Sequence, residues 1–423
     1  MRILVITNLF PPDAIGGYEL GCAQAVEALT DAGHDVCVLT SASSAAWPGR
    51  FELQRNLHLA PIYDAPRLET LSMAAWRHTR ATASFVNAAN VQIAGTALDE
   101  FQPDVVYLWN LFGLGGLGLL ALLRHLGVPW VWHVMDAIPP LLCSFGAPQL
   151  AFDGLAREFG RAISGDYIVC STRVADEIRN AGIDLGSSVH AIPNWVAGPP
   201  PPPRARWFAG DHLRIMNAGQ IGQHKGTHIL IETAAHLLER GYANFSIDIF
   251  GIGDDWAFRG LANQLGVHKI VTFKRPRPQE ELLSVYSDYD VFAFPTWARE
   301  PFGFAPLEAA SRGCIPIISG ECGIAEWFVD GVDCLKAPRE SGAFADRISQ
   351  ILSGDIDAET FGKLSQRIVW REFHIHRIVP QIEAILENAA RRSRSNGLPA
   401  ADFYPLARIA ESLTDVLITE AGS

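Results

Sequence analysis

Short apolar runs alternate along the whole chain with longer stretches of helical spacing. In the first half the runs are ILVIT, DVCVLT, DVVYLW, PWVWHV, YIVCS and HAIP. In the second half they are RIMNAG, FSIDIFG, IVTFK, DVFAFP, IPIIS and CLKAP. Most are apolar at consecutive positions rather than alternating ones, which is the pattern of parallel strands covered on both faces. Stretches such as GGYELGCAQAVEALTDAG and GTHILIETAAHLLERG fill the gaps with helix-length segments. Strand–helix–strand repetition predicts open, doubly wound α/β sheets, and the series occurs twice.

The break between the two series is a run of prolines, Pro199 to Pro203, which can form neither a helix nor a central strand. It predicts a stiff linker over 199–206 between two Rossmann-like domains, 1–198 and 207–368. After Asp357 the pattern turns helical through IVWREFHIHRIVPQIEAILENAARR, with Pro380 expected to kink or divide it. A polar break at SRSNG and an amphipathic PLARIAESLTDVL complete a helical region over 369–423.

Length and composition fit this picture. At 423 residues the chain suits two domains, and 48% apolar against 19% charged residues leaves ample core. A net charge of −12 argues against broad basic surfaces for nucleic acid while leaving room for local basic pockets. Seven cysteines without a CxxC pair suit reduced thiols. The start, MRILVITNLF, enters directly into a strand rather than a cleavable leader. The most apolar segment, LFGLGGLGLLALL, is shorter than the roughly 20 residues that span a bilayer, so it predicts a buried helix. The expectation is a cytoplasmic protein with at most peripheral membrane contact.

Ligands of doubly wound sheets bind at the carboxyl ends of the strands, and with two such domains the expected site is the cleft between them. The loops at those ends therefore carry the candidate chemistry. Gly16 and Gly17 precede the first helix, where N–H groups can approach an anion; a plain glycine turn is the other reading. GQIGQHKG, Gly219 to Gly226, sets Lys225 among glycines at a helix start, as suits a diphosphate, although the P-loop order is absent. FGIGDDW lacks the third glycine of a dinucleotide fingerprint, and no carboxylate ends the following strand, which excludes NAD. The basic FKRPRP loop, Phe273 to Pro278, can offer backbone groups to a nucleobase edge.

The segment EPFGFAPLEAASRG holds two carboxylates, Glu300 and Glu308. Pro301, Gly303 and Pro306 exclude one continuous helix. Pro306 at the first helical position would make Glu308 roughly the third, with Glu300 on the preceding loop. Both carboxylates are then expected to face the mouth of the cleft from different elements. A glycosidase acid pair is the rival chemistry, but it gains nothing from a phosphate-binding lysine loop. Lys225 with two acceptors for sugar hydroxyls points to a nucleotide-sugar ligand.

Together these residues resemble family 4 of the retaining glycosyltransferases, which have the two-domain GT-B fold. The resemblance runs from Met1 to about Leu386. It rests on the E-x7-E segment Glu300 to Glu308, the following ECGIAE loop, PPDAIGG, GQIGQHKG, Ser171 to Ile178 and IPNWV. It implies two Rossmann-like domains facing across a cleft, with C-terminal helices packing partly on the N-terminal domain. Lys225 would neutralise the donor diphosphate, aided by Gly219 and Gln220. Glu308 would bind the ribose and Glu300 the transferred sugar, with backbone contacts from Gly303 and Phe304. The N–H groups of Gly323, Ile324 and Ala325 would cradle sugar or phosphate, and Gly17 would approach from the acceptor side.

The same resemblance implies no metal and no tightly bound cofactor. The co-substrate would be a UDP-, GDP- or dTDP-sugar and the acceptor a glycan, a lipid-linked molecule or a small molecule, with no nucleic-acid partner. Three positions depart from the family. Gln220 stands where arginine is usual, with Arg275 and Arg299 as substitute cations. WHVMD stands where His-Asp is usual, which leaves His133 as the candidate near the reacting centre and Asp136 on the acceptor side. Cys322-Gly323 replaces paired glycines. A core histidine is the other reading of His133. The alternative functions are a GT-B epimerase or phosphorylase, and a non-catalytic sugar-nucleotide-binding protein. Residues 42–100 match no pattern; Arg77, His78 and Arg80 there either meet an anionic acceptor or are solvated.

Overall fold

The computed structural model describes residues 1–43, 47, 49–61, 71–72, 75, 79, 82–143, 163–204 and 206–391. Arg77, His78, Arg80 and the stretch 395–423 lie outside the described residues. The chain divides into two compact units, one formed by residues 1–192 with those from Val379 onward, the other by residues 193–378.

The first unit is built on seven parallel strands: β1 (Arg2–Ile6), β2 (Asp35–Ser41), β3 (Glu52–Leu57), β4 (Val105–Leu108), β5 (Trp130–Val134), β6 (Asp166–Val169) and β7 (Ser188–Ala191). Their order is β3-β2-β1-β4-β5-β6-β7, so the winding direction reverses between β1 and β4. Ile3 to Ile6 are wholly buried, as continuous apolar runs require. Helices α1 (Gly17–Asp31), α2 (Ala88–Phe101), α3 (Gly116–Leu126), α4 (Ile138–Cys143) and α5 (Thr172–Asn180) connect them. The glycine-rich LFGLGGLGLLALL supplies α3, buried along Leu117, Leu119, Leu120 and Leu123.

β3 was not visible in the apolar pattern. It is an edge strand, paired only with β2, and of its six residues only Leu57 is buried, so it carries no apolar run. Its Arg55 nevertheless reaches inward, donating to the carbonyls of Phe10 at 3.3 Å and Pro11 at 2.5 Å in the loop between β1 and α1.

The second unit holds six parallel strands: β8 (Leu213–Ala218), β9 (Phe245–Phe250), β10 (Val271–Lys274), β11 (Val291–Phe294), β12 (Ile315–Ser319) and β13 (Leu335–Ala337). The order β10-β9-β8-β11-β12-β13 places its reversal between β8 and β11. Its helices are α6 (Thr227–Glu239), α7 (Trp256–Gln264), α8 (Gln279–Val285), α9 (Phe304–Ser311), α10 (Ser341–Leu352) and α11 (Ala358–Glu372). One face of the sheet contributes Ile215, Ile247, Ile249 and Val271 to a core shared with Ile229, Leu230 and Leu237 of α6.

The contact boundary between the units falls at Ile192/Pro193, ahead of the proline run. The end of that run is anchored within the second unit. Arg204 donates to the Gly313 carbonyl at 2.8 Å and the Tyr289 carbonyl at 2.7 Å, and its Nη2 lies 3.4 Å from Asp290. Arg206 reaches the same carboxylate at 3.1 Å. Asp290 and the Arg204 side chain are almost wholly buried.

The helical region breaks before Pro380 rather than at it. α11 stops at Glu372, and α12 (Ile375–Arg391) runs straight through Pro380. The break is made by IPNWV. The Val196 N–H donates to the Phe373 carbonyl and the Ile375 N–H to the Val196 carbonyl, both at 2.9 Å, so the backbone turns out of the helix there. From Val379 the chain belongs to the first unit, where Glu383 pairs with His34 at 2.7 Å. Among the described residues no helix is long and apolar enough to cross a membrane.

Removing the Asp290 carboxylate would leave the buried Arg204 guanidinium without its counter-charge. Asp290→Ala is expected to destabilise the protein by about 3–5 kcal/mol, read as a drop in denaturant midpoint; a midpoint unchanged from wild type would contradict the assignment.

Candidate functional site

β8 and β11 are neighbours at the point where the second sheet reverses, and both end in loops that lead into helices. Such a switch point opens a crevice between two diverging loops. Here the loops are Gly219 to Gly226 and Pro295 to Gly303, and they are knitted together. The Trp297 N–H donates to the His224 carbonyl at 2.9 Å. Arg339 binds the carbonyls of Pro295 at 3.1 Å and His224 at 3.4 Å, and also that of Gln223. Gly226 sits at φ +76, and a side chain there would drive its Cβ to 2.1 Å from the Pro295 carbonyl oxygen.

The two loops bring Lys225 and Glu300 into a direct ion pair. Glu300 also accepts a hydrogen bond from Thr296 Oγ1 at 2.9 Å, inside the protein rather than at its surface. Lys225 keeps about a fifth of its side chain exposed, 22%. The cation is thus the accessible partner and the carboxylate the anchored one. Among the described residues, the N–H groups of Gln220, Gln223 and His224 have no intramolecular acceptor, so the Lys225 loop presents backbone donors beside its ammonium group. Gln220 itself is exposed, with its side chain 3.1 Å from His224 Nε2.

Glu308 is buried with a separate set of partners. α9 begins at Phe304, so Pro306 is its third residue and Glu308 its fifth, two places further into the helix than the proline rule suggested. Pro306 is tolerated because the first-turn N–H groups have no intrahelical acceptor. The carboxylate accepts from Gln279 Nε2 of α8 and from the Tyr286 hydroxyl at 3.2 Å. It is buried, and burial pushes its pKa above the usual range against the pull of those two donors. Neither glutamate therefore lies open at a crevice mouth; both are held under the surface with polar partners. Thr296, Gln279, Tyr286 and Arg339 carried no sequence signal of their own. Only the position of Thr296 just past the FAFP strand marks it in retrospect.

The glycine-rich loop after β12 plays a different part from the expected one. The N–H groups of Gly323 and Ile324 donate to the carbonyls of Glu300 at 2.9 Å and Phe302 at 3.0 Å, and that of Ala325 to Cys322 at 3.0 Å. They are occupied, so the cradle expected of residues 323–325 is closed. The loop instead clamps the backbone on either side of Pro301. Gly323 is needed for that approach, since a Cβ there would lie 1.8 Å from the Pro301 carbonyl oxygen. At the head of α9, by contrast, the N–H groups of Gly303 and Phe304 have no intramolecular acceptor among the described residues. Gly219 donates its own N–H to the Phe250 carbonyl at 3.0 Å.

Of the two substitute cations, Arg299 stands on the same loop as Glu300, its guanidinium 5.6 Å from the Trp297 ring centroid. Arg275 lines another cavity, described below, whose walls include neither Lys225 nor either glutamate.

In the first unit, Gly17 opens α1, and the Glu19 carboxylate accepts from the N–H groups of Ile15 at 3.2 Å and Gly16 at 3.0 Å. Asp136 lies exposed in the loop after β5, its Oδ1 accepting from the Ala137 N–H at 2.7 Å. His133 corrects an expectation. It is wholly buried in β5, with Nδ1 2.7 Å from the Tyr107 hydroxyl and its ring 4.4 Å from that of Trp109. Burial depresses its pKa to about 3, so it is a neutral core residue rather than an acid–base group open to a ligand.

The clamp generates a test. Gly323→Ala forces the Pro301 carbonyl away and should cost about 1–3 kcal/mol of stability, read as a fall in Tm; an unchanged Tm would contradict the close approach.

Residues 16–195 match the family described as "Glycosyl transferase 4-like domain", and residues 205–367 match "Glycosyl transferases group 1". The chain is 34% identical over 154 residues to the D-inositol 3-phosphate glycosyltransferase of Corynebacterium urealyticum, an alignment covering 32% of this chain and 34% of that one. It is 26% identical over 396 residues to the glycogen synthase of Mycobacterium tuberculosis, covering 88% of this chain and 91% of that one. Among solved structures it resembles Anabaena HepE, determined in complex with UDP-glucose, with a TM-score of 0.63 at 17% identity over 92% of this chain and 100% of that chain. Two successive family matches of one kind, on two parallel sheets of Rossmann type, give one conclusion: the chain belongs to the GT4-type glycosyltransferases of the GT-B fold.

Proposed function

We propose that this glycosyltransferase moves a sugar from a nucleotide-diphosphate sugar to an acceptor hydroxyl, with retention of anomeric configuration and without a metal ion. The observation that carries the reading is the Lys225–Glu300 pair at the switch point of the second sheet, flanked by N–H groups of both loops that have no acceptor among the described residues. A diphosphate needs a cation and backbone donors, and both are present. A sugar needs an anchored acceptor for its hydroxyls, and Glu300 is held by Lys225 and Thr296. Glu308, buried between Gln279 and Tyr286, is the ribose ligand. The Lys274 to Pro276 backbone meets the base. UDP-glucose, which Anabaena HepE binds, is the first donor to try. Asp136, exposed after β5, is the acceptor-side group.

In this reading the bond between the anomeric carbon and the diphosphate oxygen breaks first, and Lys225 answers the charge that develops on the leaving phosphate. The acceptor oxygen then bonds to the same face of the sugar, and its proton passes to that phosphate. No protein nucleophile is involved, and His133, neutral and buried, takes no part. The chemistry asks for positive charge in one place, and the Lys225 ammonium and loop N–H groups supply it without a divalent cation.

The two glutamates should separate in binding assays. Glu308→Ala is expected to weaken binding of the free nucleoside diphosphate about 10- to 100-fold, the value of one or two hydrogen bonds to a charged group. Glu300→Ala releases Lys225 and should leave that affinity equal or higher while abolishing most turnover. Equal losses of nucleotide affinity in both variants would contradict the division. Treatment with EDTA should leave transfer intact; a complete loss restored by a divalent cation would refute the metal-free reading.

A further inference from the structure

The second sheet carries another cavity, apart from Lys225, Glu300 and Glu308. Side chains of Arg214, Ser246, Asp248, Phe250 and Lys274 line one cavity of about 710 Å³ on β8, β9 and β10. Strand pairing sets Arg214 beside Ser246 and Phe250 beside Lys274, so these alternate residues share one face, while Ile215, Ile247 and Ile249 point into the core. Arg275, Arg277, Val285, Asp288 and Tyr289 complete the walls.

The charge balance in the cavity is uneven. Four cations, Arg214, Lys274, Arg275 and Arg277, face two carboxylates, Asp248 and Asp288. Asp248 is already answered by the Tyr289 hydroxyl, which donates to it at 2.6 Å, and by Lys274 at 3.4 Å. Arg277 leans toward Glu281 at 3.7 Å. Among the described residues, Arg214 and Arg275 have no carboxylate within ion-pairing distance, and Arg214 is half-buried. In a chain of net charge −12, such a cluster around a hollow marks a local positive potential.

We propose that this cavity binds a small soluble polyanion carrying at least two phosphate groups, separately from the diphosphate of the donor. Arginine forks suit bidentate phosphate contacts, Lys274 adds a point charge, and Ser246 offers a hydroxyl. The cations surround a hollow of molecular size rather than a flat face, which favours a free phosphorylated molecule over a membrane surface. The inference does not rest on the roles given to Lys225, Glu300 or Glu308, none of which lines the cavity; the Lys274 to Pro276 segment proposed to meet the base forms one of its edges, through Lys274 and Arg275.

The test titrates inorganic pyrophosphate into the full chain by calorimetry at low salt, with and without saturating UDP. Wild type should bind pyrophosphate in both conditions, and Lys225→Met should retain that binding. The double variant Arg214→Gln/Arg277→Gln should weaken it about tenfold or more. With UDP saturating the Lys225 site, Ser246→Glu, which places a carboxylate in the cavity without removing an arginine, should abolish it. No pyrophosphate binding by wild type overturns the proposal. So does binding that UDP displaces and Lys225→Met removes, or binding unchanged in both cavity variants. Association only with phosphatidylcholine vesicles containing phosphatidic acid, with no response to pyrophosphate, also overturns it. A failure of UDP to bind counts against the donor reading alone.

Discussion

The ion pair between Lys225 and Glu300 is the interaction on which the site is organised. It joins two loops that leave adjacent strands in diverging directions, and everything around it serves to hold that junction. Arg339 ties both loops through their carbonyls, Thr296 completes the coordination of Glu300, and Gly323 and Ile324 fasten the backbone on either side of Pro301. A buried carboxylate needs a counter-charge, and a lysine proposed to meet a phosphate would have to be held without being hidden. One pair meets both needs, because the carboxylate is buried and the ammonium is partly open.

The glycines show how backbone geometry rather than chemistry accounts for much of the sequence pattern. A glycine-rich loop beside a helix start reads naturally as an anion cradle. In this protein the N–H groups of the ECGIAE loop are consumed by carbonyls of the glutamate segment, and Gly323 is required by a close backbone crossing. The loop contributes by fixing Glu300 in place. The donors left for a ligand lie instead in the Lys225 loop and at the head of α9.

The fold was legible because parallel strands buried on both faces must be apolar throughout; every run singled out in the sequence overlaps a strand, although HAIP covers only the last two residues of the partly exposed β7. The exception, β3, fails for the same reason: an edge strand half in solvent has no run to see. The break between α11 and α12 was missed because it comes from a distant segment, the backbone of Val196, whereas Pro380 is absorbed inside a helix. In the candidate site, Lys225, Glu300 and Glu308 stand out in the sequence by type and spacing. Gln279, Tyr286 and Arg339 act through tertiary contacts from separate elements and carry no local pattern. His133 kept two readings in the sequence because a strand histidine looks the same whether it faces a ligand or, as here, the Tyr107 hydroxyl and the Trp109 ring.

The central claim is that Lys225 holds a nucleoside diphosphate at the switch point of the second sheet. It is tested most directly by thermal shift of wild type and Lys225→Met against UDP, GDP, ADP and dTDP, each beside its nucleoside. At least one diphosphate should raise the wild-type Tm well beyond its nucleoside, and that excess should vanish in Lys225→Met. An equal excess in the variant, or no response of wild type to any of the four, would contradict the account.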